Sequence, residues 1–202
     1  MAKTRLGVLI SGSGTNLQAI IDRSEAGELD AEVVCVISNR ADAFGLERAR
    51  KHGITALHFD HKSFSGRSEY DAALVKTLKE FKVDLVILAG FMRIVTPVLL
   101  DAFPNRVMNI HPALLPSFPG LDAQKQALEY GAKVSGCTVH FVDAGTDTGP
   151  IILQAVVPVL EGDTEDTLSK RIHLEEHKLY RAAIQLFAEG RLKVEGRRVI
   201  IS

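Results

Sequence analysis

Three side chains in this sequence have the types and spacing for chemistry at a carbonyl: Asn109 and His111 in MNIHPALLPSFPG, and Asp147 in VDAGTDTGPI. Strand alternation puts residues two apart on one face, so Asn109 and His111 leave the same side of a strand near its carboxyl end, where open α/β sheets bind ligands. An amide donor beside an imidazole suits a carbonyl that becomes a tetrahedral oxyanion, because both groups can donate to the developing charge. A histidine alone at that place could equally cap the strand end. Asp147 changes the balance: a carboxylate beside an imidazole favours the protonated ring, a better donor and a usable acid near neutral pH. Asp143, in the same turn, reads on its own as a solvated turn residue.

A second group of residues is suited to an anion. SGSGTN, residues 11–16, joins a first apolar run to a first helical pattern, where unpaired amides and the positive end of the helix dipole favour phosphate. Gly12 and Gly14 let the backbone approach closely, and Ser13, Thr15 and Asn16 add side-chain donors. The loop is not a P-loop, since Thr15 stands where a lysine would follow the last glycine. It is not a dinucleotide fingerprint either, with Leu17 in place of the third glycine and Ser38 and Asn39 in place of the acidic residue closing the second strand. A single phosphate is the expectation; the plainer alternative is a tight turn.

HLEEH, residues 173–177, matches a zinc-peptidase pattern in which two histidines share one helix face beside Glu176. Two ligands leave such a site incomplete, and no third declares itself nearby. An exposed polar helix face is the simpler reading.

The elements that must position these residues alternate. Apolar runs at 6–10, 33–37, 54–59 and 83–89 read as strands. Helical patterns begin at Leu17 and end near Gly27, then recur at 43–51 and 70–81, the last with Ala73, Leu74, Leu78 and Phe81 as its apolar face. That alternation predicts a parallel sheet covered on both faces. After Gly90 the pattern changes: a strand at 106–111, a shaped proline-rich loop at 112–120, a helix at 123–130, strands at 136–142 and 151–159, a long closing helix at 164–188 and a terminal hairpin at 194–201 turning at Gly196. The expected fold is α/β, a single domain over 1–202 with a Rossmann-like, mostly parallel twisted sheet. Its first half would carry the phosphate loop and its second half the chemistry.

Composition narrows the function classes. The 24 basic residues balance 25 acidic ones, which gives no reason to expect nucleic acid or an anionic membrane as partner. Cys35 and Cys137 each sit in an apolar run and read as small buried hydrophobes rather than a disulfide framework. No stretch supplies the roughly 20 apolar residues of a spanning helix, so a soluble, cytoplasmic protein with small-molecule substrates is expected.

The runs GSGTNLQAII, AGFMRI, NIHPALLPSFPG and DTGPIILQA, in this order and spacing, resemble the glycinamide ribonucleotide formyltransferase family over essentially the whole chain. The resemblance implies direct attack of the substrate amine on the formyl group of 10-formyltetrahydrofolate, a co-substrate, with no metal and no covalent enzyme intermediate. It makes Asn109, His111 and Asp147 the catalytic set: the first two hold the oxyanion, and Asp147 orients the histidine and helps relay the proton. It assigns the ribonucleotide phosphate to the amides around Gly14, Thr15 and Asn16, and the ribose and amine end to His173 and Glu176. The folate falls to Arg67, Met92, Arg93, Ile94, Val95, Asn109 and the loop Asp143, Ala144, Gly145, Thr146, Asp147. The sequence departs from the family pattern at Asp122 and Gln124, where many relatives carry histidines, and at Ala144 and Thr146, where acidic and larger apolar residues are common. The rivals are a 10-formyltetrahydrofolate hydrolase, a zinc hydrolase using HLEEH, and a nucleotide-binding sensor without chemistry. A formyl-tRNA-forming enzyme or a formylfolate hydrolase would be expected to carry a further domain for which the chain has no room. A monomer and a homodimer are both compatible with the sequence.

Overall fold

β1 (Thr4–Ile10), β2 (Ala31–Ser38), β3 (Thr55–His58) and β4 (Leu85–Leu88) alternate with α1 (Thr15–Glu25), α2 (Phe44–Lys51) and α3 (Arg67–Glu80), as the sequence periodicity predicts. The structure is a computed structural model that describes residues 3–202. It divides into two compact units, Met1–Met108 and Asn109–Ser202.

In the first unit the strand order is β3-β2-β1-β4, and β1 pairs parallel with both β2 and β4 while β2 pairs parallel with β3. Leu6, Val8, Leu9, Ile10, Val86 and Ile87 are fully buried, which a sheet achieves only when both faces are covered. Gly7 and Ile10 point to opposite faces by strand alternation. A Cβ on Gly7 would meet Leu78 of α3, while the Ile10 side chain lies against Gly45 of α2, so α3 and α2 cover different faces of β1. One further helix, α4 (Pro97–Ala102), was not expected from the sequence. It is six residues long with Pro97 in its first turn, too short for a helical period to show. A 3-10 turn at His61–Ser63 is also additional.

β5 (Val107–His111) runs through the boundary between the units. The second unit continues with α5 (Ala123–Tyr130), β6 (Val134–Phe141), β7 (Ile151–Pro158), α6 (Glu165–Ala188), β8 (Leu192–Glu195) and β9 (Arg198–Ile201). Its strand pairing is mixed: β6–β7 and β8–β9 are antiparallel, and β7–β9 is parallel. Helix α6 begins at a capping box, with Thr164 and Thr167 exchanging side-chain and backbone hydrogen bonds. It buries the stripe Leu168, Ile172, Glu176, Tyr180, Ala183 and Ile184, spaced three and four apart as a core-facing helix requires. A carboxylate in that stripe is the one departure from an apolar pattern. The proline-rich stretch 112–121 forms neither helix nor strand, as its prolines predict.

Candidate functional site

The second unit brings together the three residues that the sequence singled out for carbonyl chemistry. His111, at the end of β5, is 4% exposed, and its Nδ1 lies 3.4 Å from Asp147 Oδ2. Its Nε2 donates to the carbonyl oxygen of Phe118 in the proline-rich loop at 2.8 Å. Gly120 N donates to the same Asp147 Oδ2 at 2.8 Å. One carboxylate therefore faces the imidazole and holds the loop that borders it. Asp147 has a left-handed backbone, with φ of 54°, a conformation unusual for a residue with a Cβ and found preferentially at functional turns.

The turn carrying Asp147 is shaped by its neighbours. Asp143 accepts from Gly145 N at 3.1 Å and from the Thr148 hydroxyl at 2.6 Å, so its carboxylate closes its own turn. Gly149 follows because its Cα passes so close to the end of β6 that an added Cβ would lie 1.8 Å from the Phe141 carbonyl. Phe141 N in turn donates to Pro150 O at 2.9 Å. Ala144, Gly145 and Thr146 span the tip between these anchors.

Two residues that the sequence reading missed hold this region. Thr138 on β6 donates to Ala113 O at 2.7 Å and accepts from Leu115 N at 3.0 Å, and Gln154 on β7 donates to both Thr138 Oγ1 and Leu115 O. The proline-rich loop has little regular backbone bonding of its own, so these side chains supply partners for its polar groups. His140, also on β6, is 1% exposed. Its Nε2 lies 3.2 Å from Asn109 Nδ2 and 3.7 Å from Asp147 Oδ1. Burial pushes its proton affinity below the ordinary value for histidine. It sits inside the mainly apolar run CTVHFV, where only Thr138 and His140 are polar and neither belongs to a catalytic motif.

Helix α6 corrects the reading of HLEEH as an exposed polar face. Glu176 is 3% exposed and belongs to the buried stripe, while His173 is half-exposed with Nε2 3.8 Å from Glu176 Oε2. The helical period would have flagged it, since position 176 falls four residues after Ile172. Among the described residues no three His, Cys, Asp or Glu side chains gather as a metal-ligand set.

In the first unit, Gly14 caps α1 in a left-handed conformation with φ of 71°, and no side chain caps the helix. The amides of the first turn, at Thr15 and Asn16, thus begin the helix at the positive end of its dipole. The loop is pressed against α2: Gly45 N donates to Gly12 O at 3.1 Å, and a Cβ on Gly45 would lie 3.3 Å from Gly14 Cα. Arg48 Nε donates to Ser13 O at 2.9 Å, with its guanidinium stacked on Phe44 at 4.9 Å. Neither Gly45 nor Arg48 belongs to a recognisable phosphate motif, and both were missed.

The segment proposed for folate lies beside the same strand ends. Ser11 donates to Asn39 Oδ1 at 2.6 Å and accepts from Met92 N at 2.8 Å, tying the ends of β1, β2 and β4 through one hydroxyl. Met92 and Ile94 are exposed at 67% and 55%, whereas Val95 is buried, so an apolar shelf stands over an anchored base. Arg93 lies over the Tyr70 ring at 5.0 Å, and Thr96 donates twice to Asp71. Both contacts join the 92–96 segment to α3, whose first residue is Arg67.

Comparison with known proteins places this arrangement. Residues 4–184 match the formyl transferase family. The phosphoribosylglycinamide formyltransferase of Escherichia coli K12 is 48% identical over 187 residues, covering 93% of this chain and 88% of that protein. The trifunctional purine biosynthetic protein adenosine-3 of Drosophila pseudoobscura pseudoobscura is 52% identical over 193 residues; there the match covers 95% of this chain but only 14% of the longer protein. The crystal structure of glycinamide ribonucleotide transformylase 1 from Symbiobacterium toebii superimposes with a TM-score of 0.98 at 62% identity, covering 99% of this chain and 94% of that one. The α/β fold with its mostly parallel sheet is therefore that of these enzymes, and the chain belongs to the formyl transferase family, among its phosphoribosylglycinamide formyltransferases.

Proposed function

We propose that the protein transfers the formyl group of 10-formyltetrahydrofolate to the primary amine of glycinamide ribonucleotide, a step of purine biosynthesis. The observation that carries this reading is the buried His111 imidazole set between the Asp147 carboxylate and the Phe118 carbonyl, with the Asn109 amide on the same strand. In this mechanism the amine lone pair attacks the formyl carbon, and the carbonyl electron pair moves to oxygen. Asn109 Nδ2 and the His111 ring donate to that oxyanion, whose stabilisation is the main task of the site. For His111 this requires the Nε2 proton to leave Phe118 O for the substrate oxygen, a one-for-one exchange of acceptors. The intermediate collapses by breaking the bond to the folate N10, which receives a proton as the amine loses one. Asp147 aligns the imidazole and accepts or passes that proton.

Binding follows the same division. The first-turn amides around Gly14, Thr15 and Asn16 hold the phosphate, and His173 and Glu176 receive the ribose and amine end, where a buried carboxylate favours a cationic ammonium. Arg67, the 92–95 segment, Asn109 and the loop from Asp143 to Asp147 receive the folate, the exposed Met92 and Ile94 offering apolar contact to a flat ring system. On this reading the enzyme works in the cytoplasm; no described helix is long and apolar enough to cross a membrane.

The test mixes the protein with 10-formyltetrahydrofolate in the presence and absence of glycinamide ribonucleotide. Equal amounts of formylated ribonucleotide and tetrahydrofolate, with negligible formate when the ribonucleotide is omitted, are expected. Formate release that does not depend on the acceptor would replace transfer by hydrolysis.

A further inference from the structure

The mechanism above uses Asn109 as a donor, yet nothing in an asparagine's own chemistry decides which way its amide faces. The two ends are nearly the same size, and only the nitrogen donates. The end that meets the formyl oxygen must therefore be set by what the amide touches in the free protein. Its recorded side-chain partner is His140 Nε2, 3.2 Å from Nδ2.

The state of that imidazole can be read from its other nitrogen. His140 Nδ1 lies 2.9 Å from the carbonyl oxygen of Phe141. A carbonyl can only accept, so Nδ1 carries the proton. In the neutral ring Nε2 is then a lone pair, and the only end of Asn109 that satisfies it is the amide nitrogen. One Nδ2 hydrogen is spent on His140, and the second remains for a ligand. A doubly protonated ring would present a donor to Asn109 Nδ2 and would be drawn instead toward Asp147 Oδ1, 3.7 Å away. The charged and titratable groups around His140 are His111 on β5 and Asp143 and Asp147 in the loop after β6. At 1% exposure the ring is shielded from bulk water, so its hydrogen-bond partners are set by the protein around it.

We propose that His140 is a positioning residue of the formyl-transfer site: as a neutral, Nδ1-protonated acceptor it fixes the Asn109 amide with its nitrogen toward the reacting oxygen. The proposal rests on the formyltransferase reading for its consequence in turnover. Its structural content, the tautomer and the amide orientation, stands apart from that reading.

Two substitutions separate positioning from packing. His140→Gln places an amide oxygen near the location of Nε2 and can still accept from Asn109. His140→Leu keeps the volume and removes the acceptor. In the full-length protein, His140→Leu is expected to lower kcat by roughly tenfold to a hundredfold, less than or comparable to losing an oxyanion donor outright, with KM for each substrate moving by no more than about threefold. His140→Gln should recover most of that loss. On an Asn109→Ala background, His140→Leu should add less than about threefold, because there is no amide left to orient. Equal kcat for the Gln and Leu variants, or losses that multiply fully in the double variant, would overturn the proposal.

A direct measurement needs neither turnover nor a variant that folds. In the wild-type protein, the 15N chemical shifts of the His140 ring should show Nδ1 protonated and Nε2 unprotonated at neutral pH, with hydrogen-bond coupling from Nε2 to the Asn109 side-chain amide. A protonated Nε2 would overturn the proposal. Because this reading is independent of activity, it decides the orientation even if the wild-type protein transfers no formyl group, an outcome that would remove only the proposed function.

Discussion

At the scale of single residues, the site is defined by where a few buried protons reside. His111 holds its Nε2 proton on a backbone carbonyl of the loop beside it, so substitution by alanine removes both the proposed donor and the group that Asp147 aligns. His111→Ala is expected to reduce kcat by about 100- to 1,000-fold, the range seen for loss of an oxyanion donor, with KM for both substrates little changed; steady-state assays showing near-normal turnover would exclude it from the mechanism. His140 yields a prediction about stability rather than rate. Burial lowers its proton affinity below the ordinary 6.5, so below that pH the unfolded chain binds a proton that the folded protein resists. The unfolded state then holds more protons, and linkage makes stability fall as pH drops from 6.5 toward the folded value. Urea titrations across that window should show the fall, and His140→Gln should reduce its slope. Asn109, His111 and Asp147 stood out in the sequence as candidates because each stands at a strand end or in a turn, where a polar residue has no packing reason to be. His140 was not legible as a neighbour of the candidate site, because it interrupts an apolar run and only the folded neighbours reveal why; Glu176 was named by the family resemblance, and only its burial was misread.

At the scale of elements, the loops are held from outside themselves. The proposed phosphate loop reads clearly as a loop between β1 and α1, but the element that presses on it is α2, through Gly45. A methyl group at position 45 would approach Ile10 Cδ1 to 2.5 Å and Gly14 Cα to 3.3 Å. Gly45→Ala should therefore cost about 1–3 kcal/mol, as overpacking does, and raise KM for the ribonucleotide more than KM for the folate. A denaturant midpoint and the two KM values check both parts. The proline-rich loop depends likewise on Thr138. Replacement by valine keeps the shape but leaves Leu115 N and one Gln154 donation without their acceptor, a loss of about 1–3 kcal/mol for buried groups left unsatisfied. Thermal unfolding should register it, and an unchanged midpoint would mean that the loop finds other partners. Proline spacing made that loop predictable as irregular. Its docking was not, because the hydroxyl and amide that serve it come from β6 and β7, more than fifteen residues farther along the chain.

At the scale of the whole molecule, the two cysteines report on the integrity of the fold. Cys35 and Cys137 are free and fully buried, and burial pushes both thiols up to about 12. Neither should react with an alkylating reagent at pH 8 in the native protein, and both should react once denaturant exposes them; rapid labelling of either in buffer would contradict the packing of its strand. The sequence by itself determined the alternation of strands and helices, the burial of β1 and β4, the place of each loop, and the order of the motifs that relate the chain to its family. These are legible because hydrophobic periodicity, glycine and proline act on neighbours in the chain, within a few residues. Only the tertiary structure decided that Gly120 and His111 share one carboxylate oxygen and that Asn109 faces His140 across 31 residues of chain. Removing a polar group from water requires a partner wherever folding brings one near, and sequence distance places no limit on where that partner comes from.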